Sequence, residues 1–252
     1  MRSNCQNGTR IVILACEGIT EVSDYMKNLL LPLVLIAAAL APAEGRAERS
    51  AAVLGSGEDA LQERIEFPEL KGDTTATIRC AARIGSNGKM KDNGCAAVSP
   101  ADQVFIEPIN KAARKARLTP AQADGREKEI YFQYRVEFIK KGDETTVNVY
   151  PNPGVQENVD AYGADHVAAQ RAIGKEEWQD VCPERAEYLV WLKAHVAEDG
   201  TPSNLSLTHG GGIRPTPRCQ EAILGSAESS LFFPALANGE PVPSTYVEPY
   251  GN

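Results

Sequence analysis

The chain has 252 residues, room for one large or two small domains, and 42% hydrophobic with 24% charged residues is the composition of a folded globular protein. A net charge of −8 argues against a general nucleic-acid binder, which needs a basic footprint to displace counterions. No stretch reaches the ~20 apolar residues of an ordinary membrane-spanning helix.

In chain order, residues 1–25 precede a second methionine, Met26, and read as an extension ahead of the true translation start. The run LLLPLVLIAAAL at 29–40 follows Met26-Lys27-Asn28 and precedes Ala41-Pro42-Ala43. As a helix it would reach about 18 Å, short of the ~30 Å hydrocarbon core. A positive start, a short apolar core and small residues after it are the layout of a secretory signal peptide, here 26–47. The protein is therefore expected to be periplasmic or secreted, with no stable membrane span after cleavage. Residues 48–60 read as a short, mobile lead-in.

A first unit occupies 60–145. TTATIRCAARI at 74–84 is rich in β-branched residues, and KMKDNGCAAV at 89–98 follows Asn87-Gly88, the dipeptide of a two-residue hairpin. Phe105, Ile109, Ala112, Ala113 and Ala116 then recur at helical spacing, with Pro108 in the first turn. The turn-rich link TPAQADG leads into 129–139, where Ile130, Phe132, Tyr134, Val136 and Phe138 alternate with polar residues as in a half-buried strand. The order is β-β-α-β.

Residues 146–180 read as a linker with a short helix around 164–173. A second unit, 181–252, repeats the order: a strand at 187–198, an Asp199-Gly200 turn, a returning strand at 201–209, a helix within 218–233, the link PALANG and a last strand broken by prolines. The turn glycines Gly88 and Gly200 are 112 positions apart, and Pro120 and Pro234 are 114 apart. Two landmarks shifted almost equally are the mark of a duplication. The expected fold class is α+β, two β-β-α-β units, each a small antiparallel sheet packed by a helix.

VAEDGTPSNLSLTH, a helix, then LFFPALANGEPVPSTYVEPY resembles the TonB C-terminal domain family, through Asp199-Gly200 in the hairpin and Phe233, Pro234, Ala235, Gly239, Pro241 and Val242 in the link. The first unit matches through Asn87-Gly88, Pro120, Ala121, Asp124 and Gly125. The chain lacks that family's usual membrane anchor and Pro-rich spacer. The resemblance implies a Gram-negative envelope protein that binds protein partners by adding an extended peptide beside a final strand. The edge expected to accept it is Ile130, Phe132, Tyr134, Val136 and Phe138, because Pro241, Pro243 and Pro249 blunt the corresponding strand of the second unit. The alternative is a structural envelope protein whose two copies associate with each other, and a hydrolase ranks third.

Four cysteines fall in the exported part, and an even count in an oxidising compartment favours two disulfides. In a hairpin centred on Asn87-Gly88, Cys80 faces Cys95, which leaves Cys182 for Cys219. Residues 60–150 carry a net +2 and residues 151–252 a net −8. Lys111, Arg114, Lys115 and Arg117 gather on the first helix as a candidate basic face for an anionic partner, which includes the second unit itself. HGGG at 209–212 has no Gly-x-Ser-x-Gly partner, and the three histidines lack metal-ligand spacing. No catalytic residue, metal ligand or cofactor is expected, and Trp178 and Trp191 read as packing residues.

Overall fold

A computed structural model describes residues 49–97, 99–174, 177–182 and 187–251. Among them, four non-glycine residues hold a left-handed backbone: Asp92, Asp124, Asn204 and Asn238, with φ between 48° and 54°. Asn and Asp tolerate this region because a short polar side chain satisfies the backbone locally. The four fall into two equivalent pairs. Asp92 and Asn204 each stand four residues after a turn glycine, Gly88 or Gly200, and Asp124 and Asn238 each precede a glycine that is also left-handed. The repeat is written into the backbone.

In the first repeat, β3 (Thr74–Ile84) runs antiparallel to β4 (Met90–Ala97). The turn between them is not the expected two-residue one. Gly88 N–H donates to Gly85 O at 2.8 Å and Gly85 N–H to Lys89 O at 2.9 Å, which closes a three-residue loop ending on a left-handed glycine. That loop shifts the register by one residue. A bulge opposite Ala82, where Asp92 is left-handed, shifts it back, so Cys80 faces Cys95 after all. The second repeat uses the same pair of devices between β11 (Tyr188–Val196) and β12 (Pro202–Gly212): Gly200 N–H donates to Ala197 O at 2.9 Å, and the register shifts again at Asn204.

Helix α2 (Ile106–Ala113) follows a 3₁₀ turn capped by Ser99. It starts two residues before the expected Pro108, whose missing N–H falls in the first turn, where no intrahelical partner exists. Phe105, Ile109, Ala112, Ala113 and Ala116 are buried, as their spacing implied. Its counterpart is α4 (Pro217–Glu228), with Ile223 and Ala227 buried. After each helix comes a two-residue strand, β5 (Leu118–Thr119) or β13 (Phe232–Phe233). A tight hairpin follows: β6 (Ala121–Ala123) with β7 (Arg126–Lys128), and β14 (Ala235–Ala237) with β15 (Glu240–Val242). The links PAQADG and PALANG are thus the same hairpin, with both central φ values positive. Each repeat ends in a long strand, β8 (Ile130–Lys141) or β16 (Ser244–Gly251), and the sheet orders β4-β3-β8 and β12-β11-β16 correspond. The fold is α+β with more strand than helix.

The lead-in and the linker belong to the repeats. Residues 49–60, expected to be mobile, are packed: β1 (Arg49–Ser50) pairs β6, β2 (Val53–Leu54) pairs β5, and Ala51 and Ala52 between them are buried. Short α1 (Leu61–Arg64) follows. In the expected linker, β9 (Glu144–Tyr150) extends the first sheet beside β8. The helix, α3, spans Gln156–Tyr162 rather than 164–173, and β10 (Gln170–Ala172) pairs both β13 and β8. The two straps correspond at an offset of 117: Ser50 meets Gln122 as Val167 meets Leu236, and Leu54 meets Leu118 as Arg171 meets Phe232. Buried Ala51-Ala52 matches buried Ala168-Ala169. One core gathers around Phe105, Phe132, Tyr134 and Phe138, and the other around Leu192, Ile223, Phe232 and Tyr246. The expected extension and signal peptide lie outside the described residues.

Candidate functional site

Both expected disulfides are closed, Cys80–Cys95 with Cα atoms 4.1 Å apart and Cys182–Cys219 at 4.9 Å. The first lies on the core face, where Asn93 links β4 to Tyr134 Oη (2.7 Å) and to Asn110 of α2 (2.9 Å). The second ties the segment before β11 to the first turn of α4. Lys111, Arg114, Lys115 and Arg117 are all exposed on or just after α2. Two of them face acidic residues of their own repeat: Lys111 Nζ lies 2.9 Å from Glu66, and Glu58 and Glu63 line the same hollow as Lys115. The pair is exposed, so it contributes well under 1 kcal/mol.

His166 is buried. Nδ1 lies 2.7 Å from Gly163 O, while Nε2 has no partner among the described residues. Burial lowers its pKa, the Gly163 carbonyl opposes this, and the charge of Arg135 adds to it. Among the described residues no group of three or more potential ligands could hold a metal ion. HGGG forms the end of β12.

The strand edges decide where another chain can pair. Ile130, Phe132, Tyr134, Val136 and Phe138 do not form a free edge. β3 pairs β8 on one side from Ile130 to Lys140, and the other side is taken by β10 at Ile130–Tyr131 and by β9 from Arg135 to Lys141. Alternating burial predicted a half-buried strand, whereas Gln133 and Arg135 on the outward face are also buried, beneath residues 150–154 and the second repeat. β16 holds only one of the three expected prolines, Pro249, since Pro241 belongs to β15 and Pro243 lies between the two strands, and side-chain amides cap the rest of this edge. Asn158 Oδ1 accepts from Thr245 N–H at 3.0 Å and its Nδ2 donates to Thr245 O at 2.8 Å, while Gln133 Nε2 donates to Val247 O at 2.5 Å.

Because Thr245 turns its backbone groups away from β11, antiparallel alternation points those of Trp191, Lys193 and His195 toward β12. The N–H and C=O groups of Leu205, Leu207 and His209 then face outward from β12. This edge spans 11 residues, ends its sheet, and carries no Asp, Glu, Lys or Arg. Natural edges are usually blunted by charge, proline or cover. β12 starts at Pro202 and shares with β4 a bulge near its turn, but β4 also carries Lys91 and Asp92, and on β9 Gln62 Oε1 accepts from Val149 N–H at 3.4 Å. Sequence reasoning placed a returning strand at 201–209 but did not weigh it as an edge, for which its lack of charge was the available signal.

Between the repeats runs a cleft in two parts that meet at Pro249. The apolar part, about 550 Å³, has a floor of Ala81, Gly94 and Ala96 and walls of Trp191, Val247 and Pro153–Val155. Equivalent positions of the two repeats meet here: Gln133 bonds Val247, and Arg79 and Trp191 share the groove. Trp191 is not a packing residue in the expected sense, since 41% of it is exposed. Trp178 packs edge-on against Tyr250 at 5.2 Å in the polar part. There Arg171 of β10 forms a buried two-pronged pair with Glu248 of β16, Nε and Nη2 each 2.7 Å from a carboxylate oxygen. Tyr246 and Tyr250 donate to the same carboxylate at 2.6 and 3.2 Å. Burial opposes the charge on Arg171, but the Glu248 hydrogen bonds outweigh it and hold the pKa above the ordinary arginine value.

No protein-family model matches the chain, and no curated protein or solved structure is significantly similar to it. The two disulfides are compatible with an extracellular or periplasmic location. Among the described residues no helix is long and apolar enough to cross a membrane.

Proposed function

We propose that the chain is an exported protein-interaction module of the cell envelope that captures an extended segment of a partner as an added strand on β12. The observation that carries this reading is the charge-free edge of β12, unpaired among the described residues, with the backbone groups of Leu205, Leu207 and His209 facing outward. Main-chain hydrogen bonds give such a complex its affinity, and side-chain contacts beside the strand give it selectivity. The resemblance to TonB C-terminal domains supports the same mode of binding, on a different strand from the one that resemblance first suggested. The reading needs no cofactor and assigns no catalytic residue. The same edge favours one structural alternative, in which β12 pairs with β12 of a second copy into a continuous six-stranded sheet.

Leu207→Pro in the full chain tests the proposal. It removes one outward N–H and leaves the bonds to β11 in place. With a photo-crosslinker at Thr208 in cells, capture of an envelope protein is expected to fall about tenfold in Leu207→Pro but not in Leu207→Ala, the control for lost packing. Equal capture by the two variants overturns the reading. Cross-links only between copies support the self-pairing alternative.

A further inference from the structure

The apolar groove makes a demand of its own, separate from the edge of β12. An outward sheet face usually carries long polar side chains, yet where β3 and β4 meet it is built of Ala81, Gly94 and Ala96. A Cβ placed on Gly94 would meet no atom within 4 Å, so the floor is open rather than filled. In the second repeat the positions equivalent to Ala81, Gly94 and Ala96 are Lys193, Ser206 and Thr208, so the hollow is particular to the first. The Trp191 indole stands beside it as an exposed wall, braced by Gly210, where a Cβ would come within 2.7 Å of Nε1. A site of about 550 Å³ with apolar walls and few polar groups has the size and character of a ligand pocket.

The polar feature at its rim is Arg79. Its Nε donates to Pro153 O at 3.1 Å, which leaves the rest of the guanidinium for a ligand, and it has no carboxylate partner among the described residues. Arg83, four residues on and on the same face, is by contrast engaged with Glu129 and Asp92. A planar cation with unused donors beside an apolar hollow selects a carboxylate attached to a bulky apolar group. We infer that this groove takes a bulky apolar residue of a partner polypeptide that carries a carboxylate next to it, with the side chain against Trp191 and the carboxylate on Arg79. In a polypeptide the residue with this chemistry is the C-terminal one of a chain ending in Phe or Leu.

The chain has two tryptophans, so the indole N–H signals of Trp178 and Trp191 are assigned by replacing each with Phe. The full chain is titrated with N-acetyl-Ala-Ala-Phe as the free acid, with its C-terminal amide, with N-acetyl-Ala-Phe-Glu-amide, and with decanoate. The free acid is expected to shift the Trp191 signal saturably and to bind about fivefold more tightly than the amide. Arg79→Gln is expected to equalise acid and amide, and Ala96→Leu to abolish both by filling the floor. Binding of the Glu peptide as tightly as the free acid overturns the C-terminal occupant in favour of an internal acidic motif. Decanoate binding without peptide binding overturns the inference, as does an acid preference that survives Arg79→Gln or a Trp191 signal that no peptide moves. None of these outcomes depends on the edge of β12.

Discussion

The two repeats share a backbone and solve the same packing problems with different side chains. In each repeat a strap precedes the first long strand and pairs with the short strands that follow the helix. In the first repeat the strap and helix meet through apolar residues, with Ile65 and Phe105 buried in one core. The positions equivalent to these two in the second repeat are Cys182 and Cys219, and there a covalent bond holds the strap. Likewise, where the first repeat buries Tyr134 on its last strand and sets Leu54 on its strap, the second sets Glu248 and Arg171, a buried ion pair. What was kept between the copies is the set of turn residues: Gly88 with Asp92 and Gly200 with Asn204, then Asp124-Gly125 and Asn238-Gly239. Those residues dictate backbone conformation. The core positions dictate only volume and polarity, and these proved exchangeable.

The largest expected effect breaks the comparison at the ion pair. Glu248→Gln removes the buried carboxylate that accepts from Arg171, Tyr246 and Tyr250 and is expected to cost about 3–5 kcal/mol in urea unfolding. Rebuilding the first repeat's solution, Arg171→Leu with Glu248→Tyr, is expected to recover most of that loss, since well-packed apolar pairs replace buried ion pairs without penalty. A double variant as unstable as Glu248→Gln would show that the second repeat requires the charges.

A smaller effect sharpens the equivalence of the turns. Gly88 has φ +75° and its Cβ would lie 2.1 Å from Leu118 O, and Gly200 has φ +79° and its Cβ would lie 2.5 Å from Phe232 O. The backbone conformation alone costs a non-glycine residue about 1–3 kcal/mol. Gly88→Ala and Gly200→Ala are therefore expected to destabilise by similar amounts in thermal unfolding. A loss confined to one of them would mean that the two turns are alike in shape only.

Much of this fold was legible because turn chemistry is local. Asn-Gly and Asp-Gly marked the hairpins, alternation marked β3 and β8, and helical spacing picked out the buried face of α2 down to Ala116. The Cys80–Cys95 pairing emerged from the wrong turn, because a three-residue loop and a bulge at Asp92 cancel in register. Only backbone conformation distinguishes that route from a two-residue turn. The straps were missed because Ala51-Ala52 and Ala168-Ala169 are too short to show any period, and their pairing partners lie far along the chain. The site was least legible. Whether a strand is an edge depends on which neighbours it finds, and β8 finds β9 and β10 from a segment that reads as a linker.

Amide hydrogen exchange on the full chain, free and with the partner captured through position 208, tests the central claim most directly. The outward amides of Leu205 and Leu207 on β12 should exchange fast in the free protein and slowly in the complex, while those of Ser206 and Thr208, already bonded to β11, change little. Protection of Leu205 and Leu207 on binding is the predicted result. Unchanged exchange at both, with new protection elsewhere, would contradict strand addition on this edge.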